Sequence, residues 1–139
     1  MRALLFGGLK GNSWLFDLGL LPIRVFAGLA LAIAHGLQKV PPSPQFVESV
    51  GALGFPMPIV FAIAAACSEV GGGFLLALGL FTRPAAFFIL CTMMVAGFLQ
   101  HAGEPFTNKE RAFLFGGIAF LFLCLGAGRY SADARIVRR

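Results

Sequence analysis

The chain has 139 residues, enough for one domain; 58% of them are hydrophobic and only 12% are charged. A soluble domain carries about 25% charged residues, so this composition leaves too little polar surface for a compact body in water and points to lipid as the solvent. The formal net charge of +5 comes from termini and short loops rather than from a basic stripe interleaved with aromatics, which fits a membrane-topology signal and speaks against nucleic-acid binding.

Four apolar runs approach the roughly 20 residues that a helix needs to cross a bilayer. The first covers about 15–37. Arg2 and Lys10 precede it in the manner of a signal peptide, but Arg24 interrupts the run and further runs follow, so it reads as a retained helix. Pro22 near its start is harmless or gives a modest kink, and residues 14–21 alternatively lie at the interface. Between the first and second runs, Ser43 is placed to cap a short helix with Pro44 at its first position. Phe46, Val47, Val50 and Leu53 then share one face, as expected of an amphipathic piece lying on the membrane or over the bundle mouth. The second run covers about 57–80 and the third about 84–100, and the very short connection around Arg83 predicts a tight antiparallel hairpin. The fourth covers about 110–125, with Thr107 and Glu110 spaced as a capping box and Gly126 and Gly128 marking its end.

The expected fold is therefore all-α: one four-helix transmembrane bundle over residues 1–139, with a short amphipathic helix in its first outer loop. Arg2, Lys10, Arg83, Arg129, Arg135, Arg138 and Arg139 fall on one side of it, and Lys39, Lys109 and Arg111 on the other. Basic residues concentrate on the cytoplasmic side, so both termini are expected there. Cys67, Cys91 and Cys124 stand singly in apolar runs without a C-x-x-C pair. They are expected to remain free thiols, with no disulfide framework and no zinc site.

Ionisable groups inside a span cost roughly 2.5–3.5 kcal/mol each on insertion scales, so they mark either function or a structural pair. Arg24 and Glu69 are the two within the runs. Counted from the outer helix ends at 1.5 Å per residue, they lie roughly 20 and 18 Å deep, which makes a mutual ion pair the expectation. Around Glu69, the same-face neighbours Ala62, Ala65, Ala66, Gly72 and Gly73 form a surface suited to close helix packing. Glu69 with Arg24 is thus the candidate catalytic pair; the alternative is a pair that only locks two helices together. On the first helix Asp17, Arg24, His35, Gln38 and Lys39 fall within about 60° of one direction at 100° per residue. His35 and Lys39, with Gln100 and His101 at the end of the third run and Glu104 beyond, define a candidate ligand-binding cluster at the outer mouth. Paired histidines can bind metal, shuttle protons or donate to a quinone carbonyl, or serve only as hydrogen-bonded interfacial groups. No third ligand supports a metal site.

Arg24 with His35-Gly36-Leu37-Gln38-Lys39, Gly54-Phe55-Pro56, Glu69-Val70-Gly71-Gly72, Gly79-Leu80-Phe81-Thr82-Arg83 and Gly126-Ala127-Gly128-Arg129-Tyr130-Ser131 with Asp133 together, in that order and spacing, resemble the DoxX family of small bacterial membrane proteins. The resemblance implies a four-helix bundle in the bacterial cytoplasmic (inner) membrane. It also implies a link to quinone-coupled redox chemistry, since some relatives are subunits of thiosulfate:quinone oxidoreductase and others associate with membrane redox-defence complexes. The expected function is a membrane-embedded subunit or small oxidoreductase that handles quinone or a redox partner. Its electrons would come from a redox or membrane-protein partner, with no intrinsic flavin, haem or metal. A non-enzymatic scaffold and a small homo-oligomeric transporter are the alternatives.

Overall fold

The computed structural model describes residues 14–137, and it is helical throughout with no strand among the described residues. Arg2, Lys10, Arg138 and Arg139, which the charge asymmetry used, lie outside the described residues. Helix α1 (Trp14–Lys39) is a continuous rod of 26 residues. It is α-helical to Leu29, π-helical over Ala30–Gly36 and 3₁₀ over Leu37–Lys39. Helix α2 (Pro44–Ala52) is short, and Ser43 caps it as expected, its Oγ accepting from Phe46 N at 3.2 Å. Helix α3 (Pro58–Leu78) and helix α4 (Thr82–Gln100) form the expected tight hairpin across Gly79–Phe81. Helix α5 (Phe106–Leu125) and a single turn and a half, α6 (Ala132–Val137), complete the described chain.

Three helices, α1, α3 and α4, are long and apolar enough to cross a membrane. Only 33% of each apolar window is buried inside the protein. Phe26, Leu78, Leu114 and Phe120 point outward, an arrangement that hydrocarbon tolerates and water does not. Helix α5 has 20 residues but carries Lys109, Glu110 and Arg111 in its opening turns. Its first turn also differs from the expected capping box. The helix starts at Phe106 behind Pro105 and has no side-chain cap, so Thr107 is already inside it.

Each long helix packs on its neighbour in sequence, α1 on α3, α3 on α4 and α4 on α5, and α5 closes back on α1. Leu20, Leu31, Leu76, Ile89, Met93 and Phe122 fill the shared interior. The α1–α3 contact is made of missing side chains. A Cβ at Gly28 would come within 2.5 Å of the Gly73 carbonyl oxygen, and one at Gly36 within 2.8 Å of Val70 N. Close backbone approach of this kind replaces the hydrophobic effect as a cause of helix association in lipid.

The same contacts set the vertical register. Gly36 faces Val70, and Arg24 lies against Gly79, where a Cβ would meet its guanidinium. Ten residues of helix separate Glu69 from Gly79, so Arg24 and Glu69 stand about 15 Å apart along the bundle. The expected pair is therefore not formed. Counting depth from the ends of both helices assumed that they end level. Instead α3 runs on past the end of α1, and α2, within residues 40–56, packs against it.

Arg24 serves the opposite end of the molecule. Its Nη1 donates to the Ala127 carbonyl at 2.5 Å and its Nη2 to that of Tyr130 at 2.9 Å. Asp133 accepts from Phe81 N at 2.8 Å and Thr82 N at 3.0 Å, closing the first turn of α4, and its own N–H donates to the Gly79 carbonyl at 2.8 Å. Asp17 accepts from Arg129 N at 2.8 Å. Together these contacts tie the chain after α5 to the α3–α4 turn and to α1. Phe81, held at a φ of 48°, takes the left-handed conformation that a side chain normally avoids, and the bond from its N–H to Asp133 helps to hold it there.

Candidate functional site

Glu69 lies on the small-residue face of α3, with Ala62, Ala66, Gly72 and Gly73 buried along the same side. Its side chain is 1% exposed, and its Oε1 accepts from Lys39 Nζ at 2.5 Å. Lys39 thus takes the place beside Glu69 that the sequence reading gave to Arg24. It reaches Glu69 because the end of α1 is not α-helical. Leu37 N donates to Ala32 O across a π turn, and such i→i+5 bonds end the uniform 100° step beyond Leu29. His35 and Lys39 turn inward, while Gln38 is exposed and leaves the stripe on which sequence phase placed it.

Helix α4 carries a matching distortion. Its last residues, Ala96–Gln100, are π-helical, and His101 N donates to Ala96 O at 3.1 Å. Both π segments contribute residues to the cavities around the Lys39–Glu69 pair: Leu31 and His35 from the first, Ala96 and Gln100 from the second. Single π turns inside α-helices recur at functional sites, since they widen the helix and redirect side chains.

The pair divides two cavities. One, about 170 Å³, is polar: His35, Lys39, Glu69, His101, Asn108 and Arg111 line it, with Leu31, Met93 and Phe115 as apolar wall. The second, about 510 Å³, is mostly apolar and lies under α2. Phe46, Val50, Leu53, Phe55, Phe61 and Phe88 line it, with Ser68, Thr92 and Gln100 as scattered polar groups. Lys39, Glu69, Ala96 and His101 border both. The face of α2 expected to be apolar thus roofs the larger chamber with Phe46, Val50 and Leu53, and Lys39 Nζ stands 5.4 Å from the centre of the Phe46 ring.

Of the expected ligand-binding residues, the structure gathers His35, Lys39 and His101 around the polar cavity together with Glu69. Gln100 borders only the larger chamber. Arg24 lies at the other end with the C-terminal segment. Asn108 and Arg111 were not among the expected site residues. Their signal was available, because 108, 111, 112 and 115 recur at helical spacing and all four line the cavity.

Two cations, Lys39 and Arg111, and two imidazoles line the cavity with one carboxylate, and Lys39 pairs with it. The His35 ring meets Phe115 edge-on at 5.5 Å. His101 Nδ1 lies 3.0 Å from Glu104 Oε1, close enough for attraction though poorly aligned as a hydrogen bond. This contact first, and the Asn108 amide second, hold the Glu104 carboxyl below the usual carboxylate range. Glu69 Oε2, fully enclosed, has no hydrogen-bond partner among the described residues. A buried carboxylate oxygen left without a donor is costly, and it favours any group that brings an O–H or N–H to it. Among the described residues no three His, Cys, Asp or Glu side chains come together as a metal ion would require. Cys67, Cys91 and Cys124 are free and exposed, and Cys91 borders the larger chamber.

The family model described as DoxX matches residues 19–102. Inner membrane protein YphA of Escherichia coli (strain K12) is 32% identical over 134 residues, spanning 86% of this chain and 96% of its own. Inner membrane protein YqjF of the same organism is 31% identical, over 84% of this chain and 91% of its own. A protein of Bacillus subtilis (strain 168) named putative oxidoreductase CatD is 30% identical, over 79% of this chain and 74% of its own. No solved structure matches the chain. The family match covers more than half of the chain, and the inner-membrane relatives cover nearly all of their own length, so the protein belongs to the DoxX family.

Proposed function

We propose that this protein is a membrane-embedded oxidoreductase, or the membrane subunit of one, whose site holds a quinone-type molecule. The observation that carries this reading is the Lys39–Glu69 pair standing where a polar cavity meets an apolar chamber three times its size. An amphiphile with a polar ring and an apolar tail matches that division. The name of the Bacillus subtilis relative, putative oxidoreductase, points the same way.

In this reading Lys39, His35 and His101 orient the polar ring by donating to its oxygens, and Phe46, Phe61 and Phe88 exclude water around the tail. Gln100 stands at the rim of the chamber. Glu69 holds Lys39 in place through Oε1 and leaves Oε2 free to take a hydrogen bond or a proton. Arg24 acts only on the fold. When bound, a quinone supplies two-electron, two-proton chemistry; the electrons come from a redox partner outside this chain.

The same reading places the chain in the bacterial inner membrane as a multi-pass protein. α1, α3 and α4 cross it, and the apolar stretch 112–125 of α5 forms the fourth crossing. Both termini are cytoplasmic, with the cavities toward the outer face. A C-terminal reporter that works only in the cytoplasm should be active, and one that works only outside should be silent.

The test of function is binding of a quinone analogue to the full chain in detergent. His35→Ala/His101→Ala should weaken it by a few-fold to about tenfold per lost hydrogen bond while the protein still folds. Unchanged affinity in a folded double variant would reject the reading.

A further inference from the structure

From the enclosed, unpartnered Glu69 Oε2 and the donors that line the cavity with Glu69, we infer that the polar cavity selects the hydroquinone form over the quinone form of its ligand. This rests on the quinone-linked reading above and adds which redox state the site is built to hold.

Hydrogen-bond inventory decides the matter. A quinone ring offers only acceptor oxygens, whereas a hydroquinone offers two O–H donors that also accept. In the polar cavity Lys39 and Arg111 donate and cannot accept. Either form satisfies them. Glu69 Oε2 is different. It sits in a side chain that is 1% exposed, its sister oxygen is already taken by Lys39, and no described residue donates to it. A quinone carbonyl set beside it places two acceptors face to face and leaves the carboxylate oxygen unsatisfied. A hydroquinone O–H supplies the missing donor. Asn108 does not fill this role, because its Nδ2 is committed to Glu104 Oε2 at 2.8 Å.

A hydrogen bond to a charged group is worth enough to separate the two forms by about tenfold or more in affinity. A site that holds the reduced form more tightly raises the reduction potential of the bound couple, so it favours drawing the reduced molecule from the membrane.

The experiment compares tetramethylhydroquinone with tetramethylbenzoquinone, each by equilibrium dialysis against the full chain in detergent, under argon. The wild-type chain should bind the hydroquinone about tenfold more tightly. Glu69→Gln, whose amide can donate to a carbonyl, should erase or reverse that preference. Equal affinities in the wild-type chain, or a preference that survives Glu69→Gln, would overturn the inference while leaving the quinone-linked reading standing. Binding of neither molecule would overturn both. If Glu69→Gln fails to fold, the wild-type chain alone decides. An alkylphenol should compete with the bound probe and its methyl ether, which lacks the donor, should not; equal competition by the two would overturn the inference.

Discussion

Breaking the Lys39–Glu69 pair should be asymmetric, and the asymmetry follows from burial. The Lys39 side chain is 33% exposed and that of Glu69 1%. Removing one partner of a fully buried pair costs about 3–5 kcal/mol, because the other charge is left unpaired in a dry interior. Lys39→Met strands Glu69, whose side chain is almost wholly buried. Some solvent screening at the lysine reduces the cost to about 2–4 kcal/mol. Glu69→Gln strands Lys39, but its flexible stem lets the ammonium swing toward solvent, so the loss is about 1 kcal/mol. For a chain of this size these figures correspond to Tm decreases on the order of 10 °C and about 4 °C. The double change Lys39→Met/Glu69→Leu should recover at least half of the larger loss, since apolar replacement of both partners removes the stranded charge. Thermal unfolding in detergent, followed by circular dichroism, compares these chains, with Glu69→Leu alone as the fourth corner of the cycle. The corresponding cycle for Arg24→Leu and Glu69→Gln should be additive within about 0.5 kcal/mol, as expected for sites that share no partner. Equal losses for the two single changes, or coupling of Glu69 to Arg24 rather than to Lys39, would refute the reasoning.

Asp133→Ala removes the acceptor for two backbone N–H groups, those of Phe81 and Thr82. It should cost about 2–4 kcal/mol of stability, read as a lower Tm and faster proteolysis after α5; a change of less than 1 °C would show that the C-terminal knot is dispensable. Gly73→Ala drives a Cβ to 2.7 Å from the Gly28 carbonyl oxygen, whereas Gly71→Ala meets nothing within 4 Å. The first should destabilise by about 1–3 kcal/mol and the second should be neutral or mildly stabilising, a contrast that vanishes if α1 and α3 do not touch there. The Glu104 carboxyl, held low by His101 and Asn108, supports the fold above its ordinary titration range and loses that support as the pH falls through its lowered value. Carboxyl NMR in micelles should find it below the usual carboxylate range in the wild-type chain and raised in His101→Ala; no movement on substitution would remove His101 as the cause.

Much of this arrangement was legible in the sequence because it depends on local chemistry. The Ser43-Pro44 cap, the α3–α4 hairpin and the small-residue face around Glu69 follow from residue types at fixed spacing, and each appears where expected. Helical phase and loop position grouped His35, Lys39 and His101, and these three line one cavity. What failed depended on backbone. Arg24 is held by two carbonyl oxygens, those of Ala127 and Tyr130, more than a hundred residues away in sequence. Carbonyl acceptors carry no residue signature, so a carboxylate at apparently equal depth looked like the natural partner. The π turns in α1 and α4 broke the uniform phase that placed Gln38 beside Lys39. The place of Asn108 and Arg111 on the cavity lining was readable from their spacing with Phe115, but the stretch was read only as a helix cap and, at Arg111, as a topology charge.

The most direct test is to find where a quinone attaches. A photoreactive azidoquinone, activated on the full chain in detergent and mapped by peptide mass spectrometry, should label residues that border the two cavities, chiefly Lys39, Phe46, Ser68, Cys91 and His101. Unlabelled hydroquinone should protect them. Labelling spread instead over outward-facing residues such as Phe26, Leu78 and Leu114, without protection, would mean that the molecule only dissolves in the detergent around the bundle, and the proposed site at Lys39 and Glu69 would be wrong.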